Sequence, residues 1–247
     1  MAQITNIWRH PLKSHGRESL QTVTLQAGQT MPWDRKWAVA HEAAKTDGTE
    51  WAPCANFSRG AKASQLMAIT SQVNEATGDL TLDHPDRPSI TFDPDGDPDA
   101  FLDWVAPLMP ADRAQSARIV RVDGRGMTDT PFASVSLNSV SSMNDLQSRL
   151  AQPIDQRRWR GNFWISGTKP WAEFDWIGKQ VQIGSAILDV CEPIGRCLAT
   201  AANPDTGERD ADTLGVLQQN WGHKNFGVYA TVAQSGVITI GDTAQVL

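Results

Sequence analysis

Cysteine is scarce in this chain of 247 residues. The three thiols, Cys54, Cys191 and Cys197, are an odd count that leaves at least one unpaired within the chain and argues against a disulfide scaffold. There is no CxxC pair, no cysteine set for structural zinc, no GxGxxG or P-loop, and no glycine-flanked serine elbow. Serine, histidine and aspartate are too scattered to suggest a triad. The start, MAQITNIWRHPLKSHGRESL, has no continuous apolar segment, and no stretch elsewhere approaches membrane-spanning length; the expectation is a soluble, cytoplasmic protein. Positive charge is also in deficit: 22 Lys and Arg against 28 Asp and Glu give a net charge of -6. That balance excludes a general nucleic-acid or membrane-surface binder and leaves room for a local cationic pocket. Low-complexity tracts and internal repeats are absent as well.

What is present suits short strands and turns rather than a helical bundle: 10 Trp, 19 Gly, 14 Pro and 40% hydrophobic residues. AQITNIWRHPLK reads as a strand halted by Pro11, and SLQTVTLQAGQTMPWDRKWAVAHE and TGDLTLDHPDRPSITFD as further strands broken by turns. ASQLMAITSQV is ambiguous between helix and strand. Phe101, Trp104, Val105 and Leu108 have helical spacing up to Pro110, as do Val140, Met143, Leu146 and Leu150 in SLNSVSSMNDLQSRL, and Leu214, Leu217 and Trp221. The prediction is a mainly β chain with short helices, built as two β-rich domains, 1–115 and 116–247, or as one barrel with a β-rich companion.

Four places carry chemistry. HPLKSHGRE brings His10, Lys13, His15 and Arg17 to the end of the first strand; it is either a solvated turn or a set of donors for a phosphate or polar heterocycle. In PWDRKWAVAHE, Arg35 either pairs locally with Asp34 or grips an anion in fork geometry. QRRWRGNFWISG places Arg157, Arg158 and Arg160 around Trp159, with the Asn162 amide following, as an anion site or a solubilising cluster. GRCLATAANPDTGERD sets Cys197 between Arg196, which can lower a thiol pKa, and a turn-forming Asn-Pro-Asp-Thr-Gly run. Cys197 is then a small buried hydrophobe, a reactive thiol or a soft-metal ligand, and Cys191, six residues earlier, reads as core or wall.

Taken together, HPLKSHGRE, WDRKWAV, SVSLNSVSSMNDLQSRL, RRWRGNFWISG, GRCLATAANPDTGE and NFGVYATVAQSGVITIGDTAQVL resemble, in order and over nearly the whole chain, the MOSC proteins. These are similar to the C-terminal domain of molybdenum cofactor sulfurase, and the match is with the two-part members similar to amidoxime-reducing enzymes. The resemblance implies an N-terminal β-barrel-like domain packed on a MOSC β-barrel-like domain. It implies a molybdenum cofactor, a molybdenum-pterin, with Cys197 as the thiolate ligand to the metal. By the same resemblance Lys13, Ser14, Arg35, Ser136, Arg160 and Asn162 contact the cofactor.

The function so implied is reduction of small N-hydroxylated or N-oxide compounds. Because no cysteine-rich ferredoxin-like domain is seen, the electrons are expected from a separate electron-transfer protein. The alternatives are a non-redox cofactor carrier or sulfur-transfer protein, or a catalytically silent β-rich interaction module. One departure stands out: His15, Gly16 and Arg17 follow Ser14 where many relatives have a cysteine and a basic residue, so the lip of the pocket differs.

Overall fold

The computed structural model describes residues 1–150 and 152–247. The first half runs through β1 (Gln3–Arg9), β2 (Leu12–Lys13), β3 (Glu18–Leu20), β4 (Thr22–Leu25), β5 (Trp37–His41), β6 (Thr70–Val73), β7 (Leu80–His84) and β8 (Arg87–Phe92), then helix α1 (Asp99–Val105) and β9 (Ser116–Val120). The second half holds β10 (Val135–Ser139), α2 (Val140–Leu150), β11 (Phe163–Ser166), β12 (Gln180–Ile183), β13 (Ala186–Gly195), α3 (Thr213–Trp221), β14 (Asn225–Gln234), β15 (Gly236–Thr239) and β16 (Ala244–Val246).

Eight strands form one sheet in the order β16-β12-β13-β14-β10-β11-β1-β3. It curls on itself: Ile4 N donates to Asp242 O at 2.9 Å and Ala244 N to Ala2 O at 3.0 Å, so the β16 end meets β1 and the sheet is barrel-like. All its pairings are antiparallel except β10 with β11, which are joined by the α2 crossover. Alternation sends Phe163 and Ile165 into the barrel with Ile4, Leu137, Val181, Leu188 and Val228. Trp164, between them, is buried on the other face against Phe226, Leu146 and Leu217, under α2 and α3. A strand covered on both faces carries no polar side, and truncating Trp164 to Ala would cost about 3–5 kcal/mol.

A second core lies in the first half, where α1 sets Phe101, Trp104 and Val105 against Leu12, Trp37, Leu66, Leu80 and Leu82. The α-helix stops at Val105 and tightens into a 3-10 turn through Leu108, short of Pro110. Pro107 has no N–H to continue the helical ladder. The ambiguous segment divides into a 3-10 turn at Ser64–Ala68 followed by β6. In SLNSVSSMNDLQSRL, the first residues belong to β10, and the helix begins where the Ser139 hydroxyl accepts from Ser142 N at 3.2 Å.

Strand pairing crosses residue 115 in both directions. β1 and β3 are staves of the barrel otherwise built from residues 135–246, and β4 pairs with β15. Conversely β9 pairs with β5 in the small sheet β2-β5-β9. The two ends of the chain therefore build one cavity between them.

Candidate functional site

The cavity, open mouth included, encloses about 850 Å³ free of protein atoms. Lys13, Ser14, Arg35, Ser136, Arg160 and Cys197 all line it, brought from five separate stretches of chain. Local backbone aims several of them. Among the described residues five non-glycine positions have left-handed φ, and three of these, Ser14 (64°), Arg35 (51°) and Arg160 (49°), are cavity residues. Such geometry costs of order 1 kcal/mol or more per residue and persists where the surroundings enforce it, commonly at ligand sites.

The enforcement is visible. Asp34 is buried; one of its carboxylate oxygens accepts from His10 N at 2.7 Å and the other from Arg35 Nη1. Arg35 N in turn donates to His10 O at 2.7 Å, and its Nη2 to Arg160 O at 2.9 Å. Lys13 Nζ donates to Met127 O at 2.7 Å and Asp129 Oδ1 at 2.5 Å. The HPLKSHGRE segment is accordingly no solvated turn: His10, Lys13, His15 and Arg17 are all buried. Arg17 donates to Met67 O, Ile69 O and Pro204 O at 2.7, 3.1 and 2.6 Å, tying the Asn-Pro-Asp-Thr-Gly loop to the first half of the chain. Gly207 in that loop has φ 72°, and a Cβ there would fall 2.7 Å from Gln65 Cα, so only glycine allows the approach.

Asn162 stands elsewhere than expected. It lies behind Ser136, not at the cavity surface: its Oδ1 accepts from Ser136 N and Oγ at 3.1 and 3.0 Å, its N donates to Ser136 Oγ at 2.8 Å, and its Nδ2 to Trp8 O at 3.2 Å. Those bonds use the amide to fix Ser136. Arg157 turns to Asp155 and Asp205 at 2.7 and 2.9 Å, whereas Arg158 lines the cavity and pairs with Asp210 at 2.7 Å. Cys197 is exposed at the end of β13, and Cys191 is exposed too instead of forming core or wall. The register of β13 on β14 shifts between Val190 and Glu192, and that bulge turns Cys191 outward.

Sequence reasoning passed over Asp129, Tyr229, Cys54 and Arg59, which also line the cavity. Tyr229 had one signal, being the only tyrosine of the chain. Arg59 and Cys54 had none, since their place depends on a loop that packs against the second half.

The cavity is electropositive. Burial, then the neighbouring guanidiniums of Arg35 and Arg17, push Arg160 down to about 9. Its Nη1 donates to Gly16 O at 2.9 Å, while Nη2 is buried without a partner. Burial also lowers Arg196 to about 10; its guanidinium donates to Phe226 O, Trp159 O and Asn138 Oδ1 at 2.7, 2.7 and 2.9 Å, all neutral acceptors. For Asp129, desolvation pushes upward but Lys13 and Arg35 outweigh it and hold the carboxyl at about 2. Burial, then Asp129, raise the Tyr229 phenol to about 12. Arg160 and Arg196 are thus cations with no carboxylate of their own, a cradle for an anion. Among the described residues no three His, Cys, Asp or Glu side chains gather to hold a metal. A metal bound through Cys197 would draw its other ligands from a bound group, which fits a phosphate-bearing group with sulfur donors.

Two family models cover most of the sequence: the MOSC N-terminal beta barrel domain matches residues 1–106 and the MOSC domain residues 125–245. The chain belongs to the MOSC family. Its mainly β architecture with short helices agrees with the two barrel-like domains of that assignment. The MOSC chain is 35% identical over 120 residues to mitochondrial amidoxime-reducing component 1 of Xenopus laevis, covering 44% of this chain and 34% of that protein. The mouse protein of the same name is 30% identical over 153 residues, 56% and 44% of the two chains. Molybdenum cofactor sulfurase of Anopheles gambiae is 36% identical over 77 residues, 31% of this chain and 10% of the sulfurase. The matches thus span less than half of each relative. Among solved structures, the YUAD protein of Bacillus subtilis aligns over 98% of this chain and 93% of its own, with TM-score 0.46 and 11% identity. YiiM of Geobacillus stearothermophilus aligns over 46% and 53%, with TM-score 0.35 and 20% identity.

These names overturn one expectation. The amidoxime-reducing components are mitochondrial by name, so the cytoplasmic location inferred from the lack of a continuous apolar segment does not stand. A missing apolar leader carries no information about compartment. Among the described residues no helix is long and apolar enough to cross a membrane.

Proposed function

We propose that this MOSC protein binds a molybdenum-pterin cofactor and reduces small N-hydroxylated or N-oxide compounds with electrons from a separate donor protein. The observation that carries the reading is the convergence of an exposed thiol, Cys197, with the unpaired cations Arg160 and Arg196 in one cavity. The similarity to the amidoxime-reducing components supplies the reaction class.

In this reading the Cys197 thiolate holds the metal, and Lys13, Ser14, Arg35, Ser136 and Arg160 hold the phosphate and the polar edge of the pterin. The bound cofactor supplies the two-electron redox chemistry. Asn162 acts one step back, by fixing the Ser136 hydroxyl. Asp34 keeps the Arg35 fork aimed into the cavity while its own charge stays neutralised. The Tyr229 phenol keeps its proton at neutral pH and offers a hydrogen bond to a substrate oxygen. Overall, the N–O bond of the substrate breaks, two electrons and two protons enter, and the reduced nitrogen compound and water leave.

We also propose the division near residue 115 as a boundary between sequence segments, not folding units. It falls between the two family matches, whereas strand pairing crosses it.

Molybdenum and pterin content, measured on protein from cofactor-replete cells, tests the binding. Turnover of an aromatic amidoxime by loaded protein with a chemical reductant tests the chemistry. Stoichiometric cofactor with turnover supports both; cofactor without turnover favours a carrier; folded protein without cofactor sinks the proposal.

A further inference from the structure

The cavity lining is of two kinds: the cations Lys13, Arg35, Arg160 and Arg196, and the apolar Ala61, Met67, Ile194 and Ala199, of which Met67 and Ala199 form a wall against Gly60. Gly60 brings the loop carrying Ala61 so close that an added Cβ would fall 2.6 Å from Met67 Sδ, and Leu198, between Cys197 and Ala199 in the chain, is 43% exposed. Arg59 sits where this wall meets solvent, because it lines both the cavity and an outer cleft that also holds Lys62 and Arg113.

Arg59 differs from the deeper cations. Arg35 and Arg158 have carboxylate partners, Arg160 donates across the two halves to Gly16 O, and Arg196 donates to Phe226 O, Trp159 O and Asn138 Oδ1. The only side-chain hydrogen bond of Arg59 among the described residues runs from Nη1 to Cys54 Sγ at 3.1 Å, a weak acceptor. A planar fork with free donors, at the open edge of an apolar wall, matches a carboxylate borne on an apolar body.

Resting on the reductase reading above, we infer that Arg59 makes the cavity selective for amidoxime-type substrates whose small apolar body carries a carboxylate or similar anionic group. The oxidised nitrogen enters toward Cys197, the apolar body lies along Met67 and Ala199, and the anionic group stays at the mouth on Arg59.

The test compares benzamidoxime with 4-carboxybenzamidoxime on the cofactor-loaded full chain, by calorimetric titration and by turnover with reduced methyl viologen. The parent is expected to bind the carboxylated compound about tenfold more tightly or better, the usual worth of a hydrogen bond to a charged group. Arg59→Gln abolishes that preference, and the ratio of kcat/KM between the two compounds falls by the same factor, through KM. Arg59→Lys restores part of it. Equal binding of the two compounds by the parent, no binding of either, or a preference that survives in Arg59→Gln overturns the inference. So does loss of molybdenum and pterin from Arg59→Gln, which assigns the residue to the cofactor instead. If the preference is present and Arg59-dependent but neither compound is turned over, the reductase reading fails while the selectivity stands.

Discussion

Replacing Arg160 by methionine separates what the guanidinium does for a ligand from what it does for the fold, and the two effects have opposite signs. In the ligand-free protein Arg160 is a half-buried cation with one carbonyl partner and a buried, orphaned Nη2. Its displacement from 12.5 to about 9 corresponds to roughly 5 kcal/mol of electrostatic cost. That figure is an upper bound, since solvent in the open cavity screens the charge, and the variant also forfeits the charged Gly16 carbonyl bond, worth about 1.5–3 kcal/mol. Methionine keeps the length and apolar stem of the side chain, so Arg160→Met is expected to stabilise the ligand-free protein by about 1–3 kcal/mol. For a chain of this size that raises Tm by roughly 2–12 °C. Inorganic phosphate acts the other way: at a hundredfold excess over Kd it stabilises the parent by about 2.7 kcal/mol, and the variant by much less. The assay is denaturant and thermal unfolding of both proteins, with and without phosphate, at constant ionic strength. A variant that is less stable without phosphate and gains as much as the parent with it refutes the anion-cradle reasoning.

Cys197→Ala removes an exposed thiol, so unfolding should move by no more than about 0.5 kcal/mol while molybdenum content, by elemental analysis, falls to background. Glu173 is fully buried, accepts from Ser142 Oγ at 2.8 Å and leaves Oε1 without a partner; burial raises its carboxyl to about 6. The folded state therefore holds a proton that the unfolded state releases between pH 4.5 and about 6, and stability is lost as pH rises through that window. Glu173→Gln should thus be more stable than the parent by about 2 kcal/mol at pH 7.5 and no different at pH 4, as read by urea unfolding. Arg17→Met strands the carbonyls of Met67, Ile69 and Pro204; a loss of about 3–5 kcal/mol is expected, with hydrogen exchange of the 203–208 loop accelerated. A neutral result there would show that water replaces the guanidinium.

Much of the fold is legible in the sequence because alternation and helical spacing are local signals. AQITNIWR and KNFGVYATVA become β1 and β14, and Leu214, Leu217 and Trp221 share helix α3, started by an Asp212 cap on Gly215 N and ended by Gly222 at φ 73°. Legibility fails where the outcome depends on a partner strand. The bulge that exposes Cys191 is a register shift against β14, invisible in AILDVCEP itself. The same holds for the site. Cys197, Arg35 and Arg160 lie in stretches that carry the family resemblance, although their residue types alone left each open, whereas Arg59 and Asp129 line the cavity only because distant loops meet. Asn162 illustrates the remaining gap: its amide is as suited to a ligand as to Ser136, and only the pairing of β10 with β11 decides between them.

The exchange of strands across residue 115 bears on how such a protein can be cut, fused or recombined. A fragment holding only residues 116–247 lacks β1 and β3, so β11 becomes an edge with unpaired backbone groups, flanked by Phe163 and Trp164. A bare apolar edge of that kind recruits other chains. The first half fares no better, since β1 leaves with one buried face that has nothing to cover it. Any gene rearrangement that separates the two segments must therefore carry the first twenty residues along with the barrel, or supply a substitute strand from elsewhere.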